Sequence, residues 1–143
     1  MAKSVLIPVD LDYPESWAEP FQAAKDRFCD ADAAVHALYV LPRFTSSLVG
    51  SFFPKDFEGQ ALDAARTRLE DMVGATDAGA LPQPKTHVLH GEVYREILLA
   101  ADKLKVDAIL LLAHRPGLGD YLLGSNAARI ARHARQSVYL LRG

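Results

Sequence analysis

The chain has 143 residues, half of them hydrophobic and 24% charged, with a formal net charge of -2. That length suits one domain whose core needs no covalent staple, and the near-neutral balance gives no general reason to expect nucleic acid or another polyanion as partner. Cys29 is the single cysteine, so an internal disulfide is excluded and a reducing compartment is the simpler reading. The opening segment reaches Asp10 too early for a secretory leader. No apolar run approaches the ~20 residues that cross a bilayer as a helix. The expectation is a cytoplasmic protein with no membrane association.

Val5-Leu6-Ile7-Pro8-Val9 reads as the first strand, apolar on both faces as a central parallel strand must be. Trp17, Phe21, Ala24 and Phe28 then recur at helical spacing, and Pro20 places the start of that helix near Ser16. Asp30 to Asp32 read as a turn into a second strand, Val35 to Leu41. The segment from Arg43 to Pro54, with Phe44, Phe52 and Phe53, reads as a long loop of the kind that serves as a lid or partner surface. Phe57, Ala61, Ala65, Leu69 and Met72 mark one face of a second helix, and Gly74 to Pro84 form a connection. Thr86 to Leu89 are a short strand closed by Gly91. Ile97, Leu98, Ala101 and Leu104 mark a third helix, and Ala108 to Leu112 are the most continuous apolar strand. A loop to about Leu123 leads to a fourth helix capped by Ser125, with Ala127, Ile130, Ala131 and Ala134 inward. Val138 to Leu141 form the last strand.

Strands separated by helices cannot be hairpin partners, so the order β-α-β-α-β-α-β-α-β predicts a parallel sheet with right-handed crossovers. An open sheet of this kind binds ligands beyond the carboxyl ends of its strands, where strand order reverses. Those ends are Asp10, Val40 to Pro42, His90 and Gly91, and Leu112 to Arg115.

The residues at these ends carry limited chemistry on their own. Asp10 can accept hydrogen bonds from ribose hydroxyls or hold a metal, and equally can organise a turn in Asp10-Leu-Asp-Tyr-Pro14. Gly124-Ser125-Asn126 opens the fourth helix, where free N–H groups and the helix dipole favour an anion; a plain Ser cap is the simpler alternative. Arg115 could pair with phosphate, and with His114 it could equally be a solvated loop pair. Gly117-Leu-Gly119 is no dinucleotide fingerprint, since Leu122 stands where a third glycine belongs, and no Walker lysine follows Gly124. His87 and His90 point to opposite faces of a strand, and His36 and His133 lack partners at ligand spacing, so structural or surface roles are assigned to all four. No Gly-x-Ser-x-Gly elbow exists, and Cys29 reads as a small core residue on a helix face. Arg129, Arg132 and Arg135 read as a solvated helix face whose charge suits the helix C-terminus.

Taken together, Val5-Leu-Ile-Pro-Val-Asp10, Val35-His-Ala-Leu-Tyr-Val-Leu-Pro42, His90-Gly91-Glu-Val-Tyr-Arg-Glu-Ile97, Leu112-Ala-His-Arg-Pro116, Tyr121-Leu-Leu-Gly-Ser-Asn-Ala127 and Val138-Tyr-Leu-Leu-Arg142 resemble the universal stress protein family over essentially the whole chain, the F/G-type subgroup in particular. The resemblance implies an open five-stranded parallel sheet of order 3-2-1-4-5 with helices on both faces, of the adenine nucleotide alpha hydrolase-like kind. It also implies a homodimer through the C-terminal strand Val138 to Leu141, which fits an apolar edge strand that should not be left open. It implies an adenine nucleotide, ATP or AMP, with Mg²⁺ accompanying a triphosphate and held mainly by phosphate oxygens and water. Pro8, Val9 and Asp10 then border the adenosine, with Asp10 on the ribose; Val40 offers backbone groups to the adenine; and Gly124, Ser125 and Asn126 hold the phosphates. The family's Gly-x2-Gly-x9-Gly-Ser/Thr pattern is kept only at Gly124-Ser125. Counting back gives Leu111 and His114 or, with a shorter loop, Leu112 and Arg115, where the pattern has its two glycines. Two functions follow: a nucleotide-binding stress or regulatory protein, or a dimeric interaction protein that has lost its nucleotide. No classical enzyme is expected, at most slow ATP hydrolysis or autophosphorylation, and the phosphate loop of an ATP pyrophosphatase or nucleotidyl transferase is missing after the first strand.

Overall fold

Apolar runs of strand length, each too short to bury itself alone, fold into one layer sandwiched by amphipathic helices. The computed structural model describes residues 2–42, 57–113 and 126–142. Strand β1 (Ala2–Val9) leads into α1 (Glu15–Ala23) and a π-helical turn (Ala24–Phe28), then β2 (Cys29–Pro42). There follow α2 (Phe57–Gly74), β3 (Lys85–Gly91), α3 (Val93–Leu104), β4 (Ala108–Leu112), α4 (Ala127–His133) and β5 (Ser137–Leu141). All neighbouring strands are parallel and their order is β3-β2-β1-β4-β5, as expected. None of the described helices is long and apolar enough to cross a membrane.

Alternation along the strands divides the core between two faces. Val5, Ile7 and Val9 of β1, with Val35 and Ala37 of β2, pack against Trp17 and Phe21 of α1 and Leu69 and Val73 of α2. Leu6, Leu38 and Val40, with Ile109 and Leu111 of β4, pack against Ile97 and Ala101 of α3 and Ile130 of α4. The helices therefore cover both sides of the sheet.

Several boundaries move for identifiable reasons. α1 begins at Glu15, with Pro20 inside it. The ring cannot donate to Ser16, and the helix carries on because both its large aromatics are buried. At its end the Cys29 N–H donates to Ala24 O, a five-residue π spacing that delivers the chain straight into β2. Cys29 is thus the buried first residue of a strand, not a helix-face residue. The Asp30 to Asp32 turn is a bulge inside β2: Ala2 pairs with Cys29 but Ser4 pairs with Ala34. β3 runs from Lys85 to Gly91, longer at both ends than read from Thr86 to Leu89. The N-cap of α4 falls on Asn126 and not Ser125, and Ala131 is exposed where an inward position was expected. The long loop from Arg43 to Pro54 and most of the loop after Ala113 lie outside the described residues.

Candidate functional site

Pro8 brings no N–H to a ladder, an unusual residue in the middle strand of a sheet. β1 pairs in register with β2 as far as Val9↔Tyr39. Against β4, among the described residues, its pairing covers Val5↔Ala108 and Leu6↔Ile109, although β1 continues to Val9 and β4 to Leu112. The ladder between the two strands ends at Leu6 and Ile109. That end falls where strand order reverses, the position at which an open α/β sheet accommodates ligands.

Asp10 directly follows β1 and is 4% exposed. Its surroundings are highly ordered. The Asp10 N–H donates to Ser16 Oγ at 2.8 Å, and Ser16 Oγ donates back to Asp10 O at 3.1 Å. Asp10 Oδ1 accepts the Asp12 N–H at 3.0 Å, and Asp10 O accepts the Tyr13 N–H at 3.0 Å. The turn role that the sequence allowed for Asp10 is therefore real: its carboxylate closes an Asx turn. From α2, Arg68 donates to Leu11 O at 3.1 Å and to Asp12 Oδ1 at 3.3 Å, tying the turn to the neighbouring layer. Tyr39 lies against this cluster; burial, then Asp10 and Asp12, push its hydroxyl above its ordinary pKa, with Arg68 opposing.

Pro8, Val9, Val40 and Leu112 are all buried at these strand ends. Asn126 is half-buried and caps α4 by position, without a side-chain capping bond. His114, Arg115, Gly124 and Ser125 lie outside the described residues. At the end of β3, Gly91 has φ of +152°, and a Cβ there would lie 2.7 Å from Glu96 Oε1. The backbone conformation favours glycine at this turn, while the Glu96 side chain is flexible enough to move aside.

A model of the universal stress protein family matches residues 1–142. The chain belongs to the universal stress protein family. Universal stress protein G of Salmonella typhimurium is 31% identical over 146 residues, spanning 99% of this chain and all of that protein. Among solved structures, hypothetical protein MJ0577 superposes with a TM-score of 0.76 at 21% identity, covering 99% of this chain and 96% of that one. A universal stress protein in complex with cAMP gives 0.52 at 20% identity, covering 98% and 96%. At those identities the structural likeness speaks for the fold alone, a five-stranded parallel sheet of order 3-2-1-4-5 with helices on both faces.

Within this universal stress protein, three polar arrangements escaped the sequence reading. Ser16 is fully buried and braces the end of β1; only its place six residues after Asp10, at a helix start, hinted at it. His36 is buried and its Nδ1 lies 2.9 Å from Nε2 of His87 on the adjacent strand. His36 was expected to lack a partner at ligand spacing and to have a structural or surface role; its role is structural, through a partner across the sheet, where residues 51 apart in sequence meet. Both imidazoles titrate below the ordinary value of 6.5. Burial is the first cause in each; His87 and then Lys85 add to it for His36, and Lys85 for His87. His90 Nδ1, finally, lies 2.8 Å from Glu58 Oε1 at the start of α2. The Cys29 thiol is pushed above its ordinary pKa by burial and then by Asp30, which opposes any nucleophilic use.

Proposed function

We propose that this universal stress protein binds an adenine nucleotide, ATP or AMP, at the carboxyl end of β1 and serves a stress-response or regulatory role in the cytoplasm as a homodimer. The observation that carries the reading is the end of the β1–β4 ladder at the reversal of strand order, with buried Asp10 directly after β1. The donor set suits a nucleoside: a carboxylate that accepts from ribose hydroxyls and strand-end backbone groups at Val40 that meet a base edge. Pro8, Val9 and Leu112 line the apolar part. His114, Arg115, Gly124, Ser125 and Asn126 complete it on the phosphate side, where N–H groups of a helix start suit an anion. Mg²⁺ accompanies a triphosphate on phosphate oxygens and water. The complex of another universal stress protein with cAMP supports an adenine nucleotide as the ligand class.

No classical turnover is assigned to this site; slow hydrolysis or autophosphorylation is its upper bound. The homodimer is assigned to β5, whose Tyr139 and Leu140 remain 38% and 41% exposed on an outer strand. Leu140→Lys is expected to convert the dimer to monomer in light scattering, with the circular dichroism of the wild type.

The test of binding is thermal unfolding with ATP, with and without Mg²⁺. Ligand at a hundred times Kd stabilises by about 2.7 kcal/mol. Asp10→Asn keeps an acceptor for the Asp12 N–H but lacks the charge, and is expected to weaken ATP at least about tenfold. A second reading, a dimeric interaction protein without nucleotide, is favoured by the two missing glycines and by the complete burial of Leu112. Absence of any shift at millimolar ATP decides for it.

A further inference from the structure

We infer that His90 selects the purine, accepting a hydrogen bond through Nε2 from the exocyclic amine of adenine and disfavouring six-oxo purines. The inference rests on the nucleotide reading above and adds to it the basis of base choice.

The argument begins with Glu58. A carboxylate only accepts, so the 2.8 Å contact with Glu58 Oε1 requires the hydrogen of the neutral ring to sit on Nδ1. Nε2 is then a lone-pair acceptor. That atom is buried and has no hydrogen-bond partner among the described residues. A buried acceptor without a donor is costly and rare, and it calls for a partner. The His90 side chain keeps 22% of its surface exposed, so the ring lies at the rim of the fold, and a base that meets Nε2 takes the place of the groups that cover that atom.

Position decides which part of a nucleotide that is. His90 is the next-to-last residue of β3 and pairs with Leu41, next to Val40 on the neighbouring strand. It lies two strands from β1, a distance of about 9–10 Å at the usual strand spacing. A ribose held by Asp10 leaves that distance to be spanned by the base. Phosphate oxygens are acceptors and would be repelled by Nε2; the adenine amine is a donor and completes it. In hypoxanthine or guanine an oxygen occupies the same place, setting two acceptors against each other. His90 is thus a specificity residue, oriented by Glu58.

The test compares equilibrium binding of ATP and inosine triphosphate, which differ at that group, to the full chain. Wild type is expected to prefer ATP by tenfold or more. His90→Phe is expected to bring the ratio below threefold, mainly by loss of ATP affinity. Glu58→Lys places a donor beside Nδ1, moves the ring hydrogen to Nε2, and is expected to erase or invert the preference. Glu58 is 56% exposed, so this variant retains the fold even if His90→Phe does not. Wild type binding both nucleotides equally, or both variants keeping the wild-type ratio, overturns the role of His90 and leaves nucleotide binding standing. Wild type binding neither overturns the nucleotide reading and this inference with it.

Discussion

The two faces of the sheet solve burial differently. On the α1 and α2 side, Trp17 and Phe21 stack with centroids 4.6 Å apart and are essentially inaccessible. Two buried polar groups there are paired: Trp17 Nε1 donates to Thr76 Oγ1 at 3.2 Å, and Ser16 is doubly bonded to Asp10. On the α3 and α4 side the large buried groups are aliphatic, Leu6, Leu38, Ile97, Ile109, Leu111 and Ile130. The buried polar group on that side is an imidazole, His36, whose bond to His87 survives only while one ring can accept. One face is held by stacked aromatics and the hydrogen bonds of Trp17 and Ser16, the other by aliphatic packing and a pair of hydrogen-bonded imidazoles. They should fail under different stresses.

The comparison is broken most severely by Trp17→Ala, expected to cost about 3–5 kcal/mol in urea unfolding by opening a cavity beneath the stacked Phe21. A cost no larger than that of a surface change would mean that α1 is not the anchor of its face. Ser16→Ala leaves the Asp10 N–H buried without its acceptor and is expected to cost about 1–3 kcal/mol, with a lower ATP affinity because the end of β1 loosens.

The histidine pair supplies the next effect. Both folded-state pKa values lie below the unfolded 6.5. Below that pH the unfolded chain takes up protons that the folded pair refuses. The contribution is therefore complete above pH 6.5 and declines as pH falls toward the depressed values. The urea midpoint should drop between about pH 7.5 and about pH 5.5, and His87→Leu should flatten that drop. An unchanged slope would remove the pH-sensitive character assigned to the α3 face. The smallest effect is expected at Lys105, which ends α3 at φ of +56°. Lys105→Gly relieves the left-handed cost and should stabilise by up to about 1 kcal/mol in the same assay.

Much of the candidate site was legible at its centre and little at its edges. Asp10 was recognisable because a carboxylate directly after an apolar strand marks a strand end, and topology says what strand ends do. The ladder that ends beside it involves β4, about a hundred residues away, and nothing local names that strand. Cys29 and the Asp30 to Asp32 bulge were misplaced because helix end and strand start share residues through the π turn, a geometry without a local signature.

Apolar periodicity by itself determined the alternation of strands and helices, and that alternation imposed a parallel sheet covered on both faces, because such strands have no polar side to show to water. Only the tertiary structure decided that His36 meets His87, that Glu58 orients His90, and that Arg68 reaches the turn after Asp10. Those meetings depend on the register between strands and on where each helix lies across them. Register and helix placement are set by packing among segments distant in the chain, so no window of sequence contains them.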